Sequence, residues 1–398
     1  MNFLVTKVNN PIEHLSRVGV DPASVVIFKN KGEFVSLLIY DVPVIAANVI
    51  KQEMLAAGGD AAVHRQAITH RVDRTHVLTM GTLAQHRKLI EKLSMMHYWE
   101  LDKIAKDIED CLFGEVIRCM NLPSGRKLYF DRTLIMGVIN VTPDSFYAAS
   151  RVEKDKLLDR VAQMIREGVD IIDIGGESTR PGSDRVTEEE EMSRVVPAVE
   201  LVKKNFDVVV SVDTYKAKVA EESIKVGAEI VNDVSALRFD PNMVEVLKKY
   251  KPAVVLMHMK GEPKTMQENP HYDDVVKEIL YFLKERIEFL SESGIDDRIM
   301  IDPGIGFGKR LEDNLEIIKR ISEFKSLKRP VLIGASRKSF IGKVLGDVPP
   351  EERLYGTLAV TAYCVLNGVD VIRVHDVREN SHVIKLIETI RKTDNRSF

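Results

Sequence analysis

Eight times between residue 131 and the end of the chain, an apolar run gives way to a polar loop and then to an amphipathic stretch. The runs are TLIMGVIN, VDIIDIGG, VVVSVD, AEIVND, AVVLMH, RIMIDPG, VLIGAS and VDVIRVHD, with helical patterns such as KDKLLDRVAQMIREG and VVKEILYFLKERIEFLSESG between them. Short β-branched runs read as strands buried on both faces, and strand–helix alternation builds a parallel sheet with its helices outside. Eight such units over about 250 residues specify a (β/α)8 TIM barrel in preference to an open doubly wound sheet. No self-similar repeat underlies them, which sets a solenoid aside.

Residues 1–130 have a different habit. Short apolar stretches (EFVSLLIYDVPV, THVLTMGTL) alternate with helical patterns (AANVIKQEMLAAG, AQHRKLIEKL) and close on MMHYWELDKIAKDIEDCLF. The expected class is α/β: a smaller α/β domain of unassigned role over 1–130, then the barrel over 131–398. A chain of 398 residues is long enough for both. In HRQAITHRVDRTH, His64, His70 and His76 recur every sixth residue. That spacing matches no metal motif and reads as a solvated loop or sheet edge.

Charge and cysteine usage narrow the partners. A formal net charge of -3 gives no general pull toward nucleic acid or anionic lipid, so neither is an expected partner. No segment offers about 20 uncharged apolar residues, and the amino terminus lacks a signal pattern, so no membrane span and no export are expected. Cys111, Cys119 and Cys364 show neither CxxC nor Cys/His ligand spacing, which argues against a disulfide framework or a zinc site and for the cytoplasm. Small molecules are the expected partners.

The barrel strands end on polar residues: Asn140, Asp173, Asp213, Asn232, His258, Asp302, Ser336, and Arg373 with His375. Active sites in such barrels lie at the carboxyl ends of the strands. One Asp or Asn there can be a helix cap, but eight polar termini in register exceed what capping explains. Asp213, Asn232, Asp302 and Lys338 offer two carboxylates, an amide and an ammonium, a set that suits a flat heterocycle such as a pterin. Arg373 and His375, with Arg180, form a separate cationic set able to hold a phosphate or pyrophosphate. The glycine-rich DIGGESTRPGS and DPGIGFGKR satisfy neither GxxxxGK[ST] nor GxGxxG, and read as tight turns at the barrel rim. His258 and His271 read as packing or loop hydrogen-bonding residues.

Taken in order, GVINVTPDSF, DIIDIGGESTRPGS, SVDTYKAKVA, VNDVSAL, LMHMKGEPKTMQ, DPGIGFGKRLEDN, LIGASRKSFIG and VIRVHDV resemble the signature series of the dihydropteroate synthase family, over about residues 132–392. The resemblance implies a barrel, dimeric as a rule, that joins 6-hydroxymethyl-dihydropterin pyrophosphate to 4-aminobenzoate and releases pyrophosphate with Mg2+ assistance. By resemblance, Asn140 would hold Mg2+ and pyrophosphate. Asp144 and Phe146 would belong to a first loop, Asp144 near Arg180 and Phe146 against the aryl amine. Thr179, Arg180 and Pro181 match a second loop; Asp213, Asn232, Met257, Asp302 and Lys338 match the pterin pocket. Phe307 and Ser336 match the aminobenzoate side, and Arg373 with His375 the anion site. The resemblance gives Asp144, Arg180 and Lys338 the catalytic roles.

Two departures stand out. After DSF the family continues Ser-Asp-Gly-Gly, whereas this chain has Tyr147, Ala148, Ala149 and Ser150, a stiffer sequence. The first 130 residues have no counterpart in the single-barrel enzymes. Two other readings stay open here: a methyltetrahydrofolate:corrinoid methyltransferase on a related pterin-binding barrel, and a pterin-binding protein with an altered or non-enzymatic role.

Overall fold

The computed structural model of the protein describes residues 4–8, 10–141, 151–177, 185–262 and 265–393. Two compact units divide between Glu115 and Val116. In the first, β1 (Phe34–Pro43), β2 (Asp60–Val63) and β3 (Arg74–Thr82) form an antiparallel sheet in the order β1-β3-β2. Helices Val44–Ala56, Leu83–Ser94 and Leu101–Phe113 bring Ile50, Met54, Leu89, Leu93 and Leu101 into one core with Val42, Ala61 and Val77 of the strands. The helix Leu83–Ser94 starts where it does because Thr82 and Gln85 cap it reciprocally: the hydroxyl accepts from the Gln85 N–H, and the Gln85 amide oxygen accepts from the Thr82 N–H. His76 lies on β3 and accepts from the Asp41 N–H at 3.1 Å. Among the described residues no three carboxylates, imidazoles or thiols gather to hold a metal.

The second unit opens with an antiparallel hairpin, β4 (Cys119–Asn121) and β5 (Lys127–Tyr129). Eight parallel strands follow: β6 (Leu134–Asn140), β7 (Ile171–Gly175), β8 (Val209–Asp213), β9 (Ile230–Asp233), β10 (Ala253–Met257), β11 (Ile299–Asp302), β12 (Leu332–Ile333) and β13 (Val371–Val374). Their order is β11-β10-β9-β8-β7-β6-β13-β12, and a parallel bridge between Ile301 and Val331 closes the ring. Each strand falls within one of the eight apolar runs. The expected boundary at 130/131 shifts to 115/116 because the hairpin packs into the barrel: Met120, Leu122, Leu128 and Phe130 join the first inward residues of the strands in one cluster.

Side chains of a strand alternate between faces, and here the alternation sorts three environments. Outward residues such as Ile172, Ile174, Val210, Val212 and Val254 pack against the surrounding helices. The first inward layer, Leu134, Ile171, Val209, Ile230, Ala253, Leu332 and Val371, makes an apolar floor with the hairpin. Each large side chain so buried contributes roughly 1.5–3 kcal/mol relative to exposure. Further along, Met136, Val255 and Met300 stay apolar, but the other inward positions include Asp173, Ser211, Asp213, Asn232, Asp302 and Arg373. Among the described residues no helix is long and apolar enough to cross a membrane.

Candidate active site

One guanidinium organises one side of the barrel mouth. Arg373, inward on β13, donates from Nε to Asp173 Oδ2 at 2.7 Å and from Nη2 to Asp213 Oδ2 at 2.6 Å. The Asn232 amide donates to the same Asp173 oxygen at 3.2 Å. Asp173 Oδ1 is buried without a hydrogen-bond partner among the described residues. A buried, unmet carboxylate oxygen is costly and is met at once by a ligand carrying an N–H. Gly175 lies beside Asp213 on the neighbouring strand.

Two carboxylates share this one cation, and the ionisation of Asp213 reflects its burial beside them. Burial, reinforced by the charge of Asp173 and opposed by Arg373, pushes the Asp213 carboxyl up to about 7. Burial works against the Arg373 charge as well, but Asp173 and Asp213 outweigh it and hold the guanidinium above its ordinary range. Arg373 is thus tied to two carboxylates of the neighbouring strands. Its expected companion His375 pairs elsewhere: Ser336 Oγ accepts from the His375 N–H at 3.3 Å and lies 3.1 Å from His375 Nδ1.

Two further charged side chains, Asp302 and Lys338, sit at the end of β11 and on the turn after β12. Asp302 accepts from the Gly304 N–H at 2.7 Å, in a turn that only glycine fits, since φ at Gly304 is +70° and a Cβ would stand 1.9 Å from the His258 carbonyl oxygen. Lys338 donates to the Ile305 carbonyl and lies with its Nζ 4.5 Å from the centre of the Phe307 ring. Burial raises the Asp302 pKa against the pull of Lys338, and burial lowers the Lys338 ammonium to about 8 against the pull of Asp302. Met257 is buried with Tyr215, Val234, Met259 and Met266, and Phe307 packs on that cluster. Asn140 ends β6, partly exposed.

Asp213, Asn232, Met257, Asp302, Phe307, Ser336, Lys338, Arg373, His375 and Asn140 therefore all belong to strands or following turns at one end of the barrel. Asp144, Phe146, Thr179, Arg180 and Pro181 lie outside the described residues. Lys216 donates to Glu177 Oε2 at 2.7 Å, to the Val186 carbonyl at 2.8 Å and to Glu191 Oε2 at 2.5 Å.

Two members of the site have no assigned role in the sequence reading. Asp173 is visible as a strand-end residue, and a carboxylate at an inward position between Ile171 and Gly175 is the signal that marks it. Lys309 lies in a glycine-rich turn, and no local pattern distinguishes a buried lysine there from a solvated one. His258 is buried with its Nδ1 3.0 Å from Lys309 Nζ, a packing and hydrogen-bonding histidine; His271 is exposed, 3.3 Å from Asp273.

The family described as pterin binding enzyme matches residues 136–375. A dihydropteroate synthase of Bacillus subtilis (strain 168) is 44% identical over 264 residues, 66% of this chain and 90% of the relative. A crystal structure of dihydropteroate synthase from Thermus thermophilus in complex with 4-aminobenzoate superposes with a TM-score of 0.62 at 40% identity, covering 69% of this chain and 100% of that one. A probable bifunctional folylpolyglutamate synthase/dihydropteroate synthase of Halobacterium salinarum is 37% identical over 391 residues, 97% of this chain and 46% of the relative. That match extends through the residues ahead of the barrel.

Proposed function

This chain belongs to the dihydropteroate synthase family of pterin-binding enzymes, and on that premise we propose how its barrel mouth divides the labour of the reaction. The enzyme condenses 6-hydroxymethyl-7,8-dihydropterin pyrophosphate with 4-aminobenzoate in folate biosynthesis. The amine nitrogen bonds to the pterin methylene, the carbon–oxygen bond to pyrophosphate breaks, the nitrogen loses a proton, and 7,8-dihydropteroate and pyrophosphate result. Neither the methyltransferase nor the non-enzymatic reading is needed for a chain with such relatives.

The observation that carries the assignment is a layer of buried charges above an apolar floor: Arg373 paired with Asp173 and Asp213 on one side, and on the other Asp302 and Lys338, each held by a backbone group of the turn after β11. A pterin ring meets such a layer edge-on. Its 2-amino and N3–H donors match the carboxylates and Asn232, its 4-oxo and N5 acceptors match Lys338, and Met257 covers a face. Phe307 and Ser336 then serve the aryl amine with Phe146, Thr179 and Pro181, while Asn140, Arg180, Arg373 and His375 serve the pyrophosphate end, with Asp144 close to Arg180. Fixed donors aimed at a departing anion are worth about 2.7–4 kcal/mol each in the transition state. The electron-rich ring assists departure, so no nucleophilic side chain is required, and the protein's task is to hold the weak aniline nucleophile in line.

Mg2+ fits this site only in one form. With no cluster of three carboxylate, imidazole or thiol groups among the described residues, Asn140 would supply a single hard oxygen, and phosphate oxygens and water would supply the rest. When bound, the ion would neutralise charge on the leaving pyrophosphate.

The helix Leu354–Leu366 supports a homodimer. It carries no charged side chain, and Tyr355 is 82% exposed and Leu366 55% exposed on its outer face. A cytoplasmic location goes with this reading, supported by cysteines that show neither CxxC nor Cys/His ligand spacing. Incubating the purified protein with the pterin pyrophosphate and a panel of aryl amines tests the activity: pyrophosphate release with 4-aminobenzoate supports it, and turnover confined to a different amine redirects the pathway assignment.

A further inference from the structure

Four consecutive carbonyls in the turn after β11 each accept from a different side chain. Ile305 accepts from Lys338, Gly306 from Gln267 at 2.6 Å, Phe307 from Lys309 at 3.0 Å, and Gly308 from the Tyr272 hydroxyl at 2.8 Å. The Gly306 N–H in turn donates to Asn314 Oδ1 at 2.6 Å. A turn whose backbone groups are all met by side chains from separate elements has few alternative conformations. It also lies against the exit of β10, since a Cβ on Gly308 would stand 2.2 Å from the Lys260 carbonyl oxygen.

Lys309 is the innermost of these ties. It is buried, and its Nζ reaches the Phe307 carbonyl, the His258 carbonyl at 3.4 Å and His258 Nδ1 at 3.0 Å. His258 is itself held by its ring edge against Phe282, 4.9 Å between centres. Burial drives the pKa of Lys309 well down, with Asp302 pulling the other way. The tie survives either outcome: an ammonium donates to all three groups, and a neutral amine donates to the carbonyls while accepting from Nδ1–H.

We propose that Lys309 is a positioning residue for the amine half of the reaction, tying the Phe307 backbone to His258 at the exit of β10 and so aiming the Phe307 ring. This rests on the reading that Phe307 faces the aryl amine. Lys309 touches neither substrate. Pterin binding depends on it little, because Asp302 keeps its Gly304 N–H and Lys338 its Ile305 carbonyl when Lys309 is replaced.

The test is steady-state kinetics and pterin calorimetry on Lys309→Met, His258→Leu, the double variant and Phe307→Ala in the full chain, with thermal melting as a folding control. Misplacing a substrate-contacting ring by an ångström costs up to about 100-fold, so Lys309→Met should raise the KM for 4-aminobenzoate about tenfold or more while the Kd for a hydroxymethyl-pterin stays within about threefold. His258→Leu, which keeps both carbonyl ties, should move the amine KM the same way by less, and the double variant should be no worse than Lys309→Met. If Lys309→Met does not fold, His258→Leu alone decides by the same split. An unchanged amine KM, or equal losses for pterin and amine, overturns the proposal. Phe307→Ala separates the two failures: if it leaves the amine KM unmoved, the reading of Phe307 falls, whereas an impaired Phe307→Ala beside an unaffected Lys309→Met defeats the positioning role alone.

Discussion

The two ends of the barrel are built from the same strands and do opposite things. At the amino end, Leu134, Ile171, Val209, Ile230 and Val371 close on the hairpin residues Met120, Leu122, Leu128 and Phe130, with no charge among them. Further along β7, β8, β9 and β13 the inward positions are Asp173, Asp213, Asn232 and Arg373. The floor gains stability by excluding water. The mouth spends some of it, because Arg373, Asp173 and Asp213 are desolvated together and depend on one another for compensation. That difference predicts where substitutions register as lost stability and where as lost chemistry.

The sharpest test of the contrast is Arg373→Met. It leaves Asp173 and Asp213 buried without their cation, and removing one partner of such a set costs about 3–5 kcal/mol. The loss should be shared between stability and pterin affinity, so melting and calorimetry should both register it, with turnover nearly abolished; wild-type pterin affinity would remove the guanidinium from the site. At the other end, Phe130→Ala should lose roughly 3–5 kcal/mol of unfolding free energy. Here kcat per folded molecule should hold within about twofold, and a large drop in kcat measured below the transition would erase the distinction between floor and mouth.

A smaller effect is the pH response of the mouth. The Asp213 carboxyl, raised by burial to about 7, binds a proton in the folded state that the unfolded chain has already released. Folded protein therefore loses relative stability as pH rises from about 4 to about 7, and gains an ionised ring partner across the upper part of that window. Lys338, lowered by burial to about 8, stays charged only below that value. The pterin kcat/KM should climb toward pH 7 and fall above pH 8, and Asp213→Asn should flatten the climbing limb alone; a profile unaltered by that variant assigns the limb to another group.

Least affected should be a chain begun at residue 116. It retains the hairpin and every proposed ligand contact, and its turnover should match the full chain. Starting at residue 131 strips the floor of Met120, Leu122, Leu128 and Phe130, and that version should aggregate on expression. If both shortened chains behave alike in a solubility assay, the hairpin is dispensable and the division at 115/116 has no physical weight.

How far each end can be read from sequence follows from range. The eight strands are legible because a buried parallel strand announces itself in a handful of adjacent residues, and Asp302 or Asn232 stands out at the end of such a run. The hairpin falls in with the preceding domain because strands of three residues carry no periodic signal; only its packing across the barrel assigns it. The same limit hides the link of Arg373 to Asp173, 200 positions apart. Residue type names a cation, but the closure of the ring decides which carboxylate it meets. Lys309 is hidden for a related reason, since its partners lie on the exit of another strand.

The closed floor also governs traffic. A vessel stoppered at its base has a single doorway, so dihydropteroate, pyrophosphate and any unreacted amine must leave by the rim through which they arrived. On the proposed placement, with the pterin innermost and the other two ligands nearer that opening, whatever enters last would stand in the path of what entered first. Pyrophosphate would then have to depart before the product could escape, and an excess of late-arriving ligand would act as a brake on turnover.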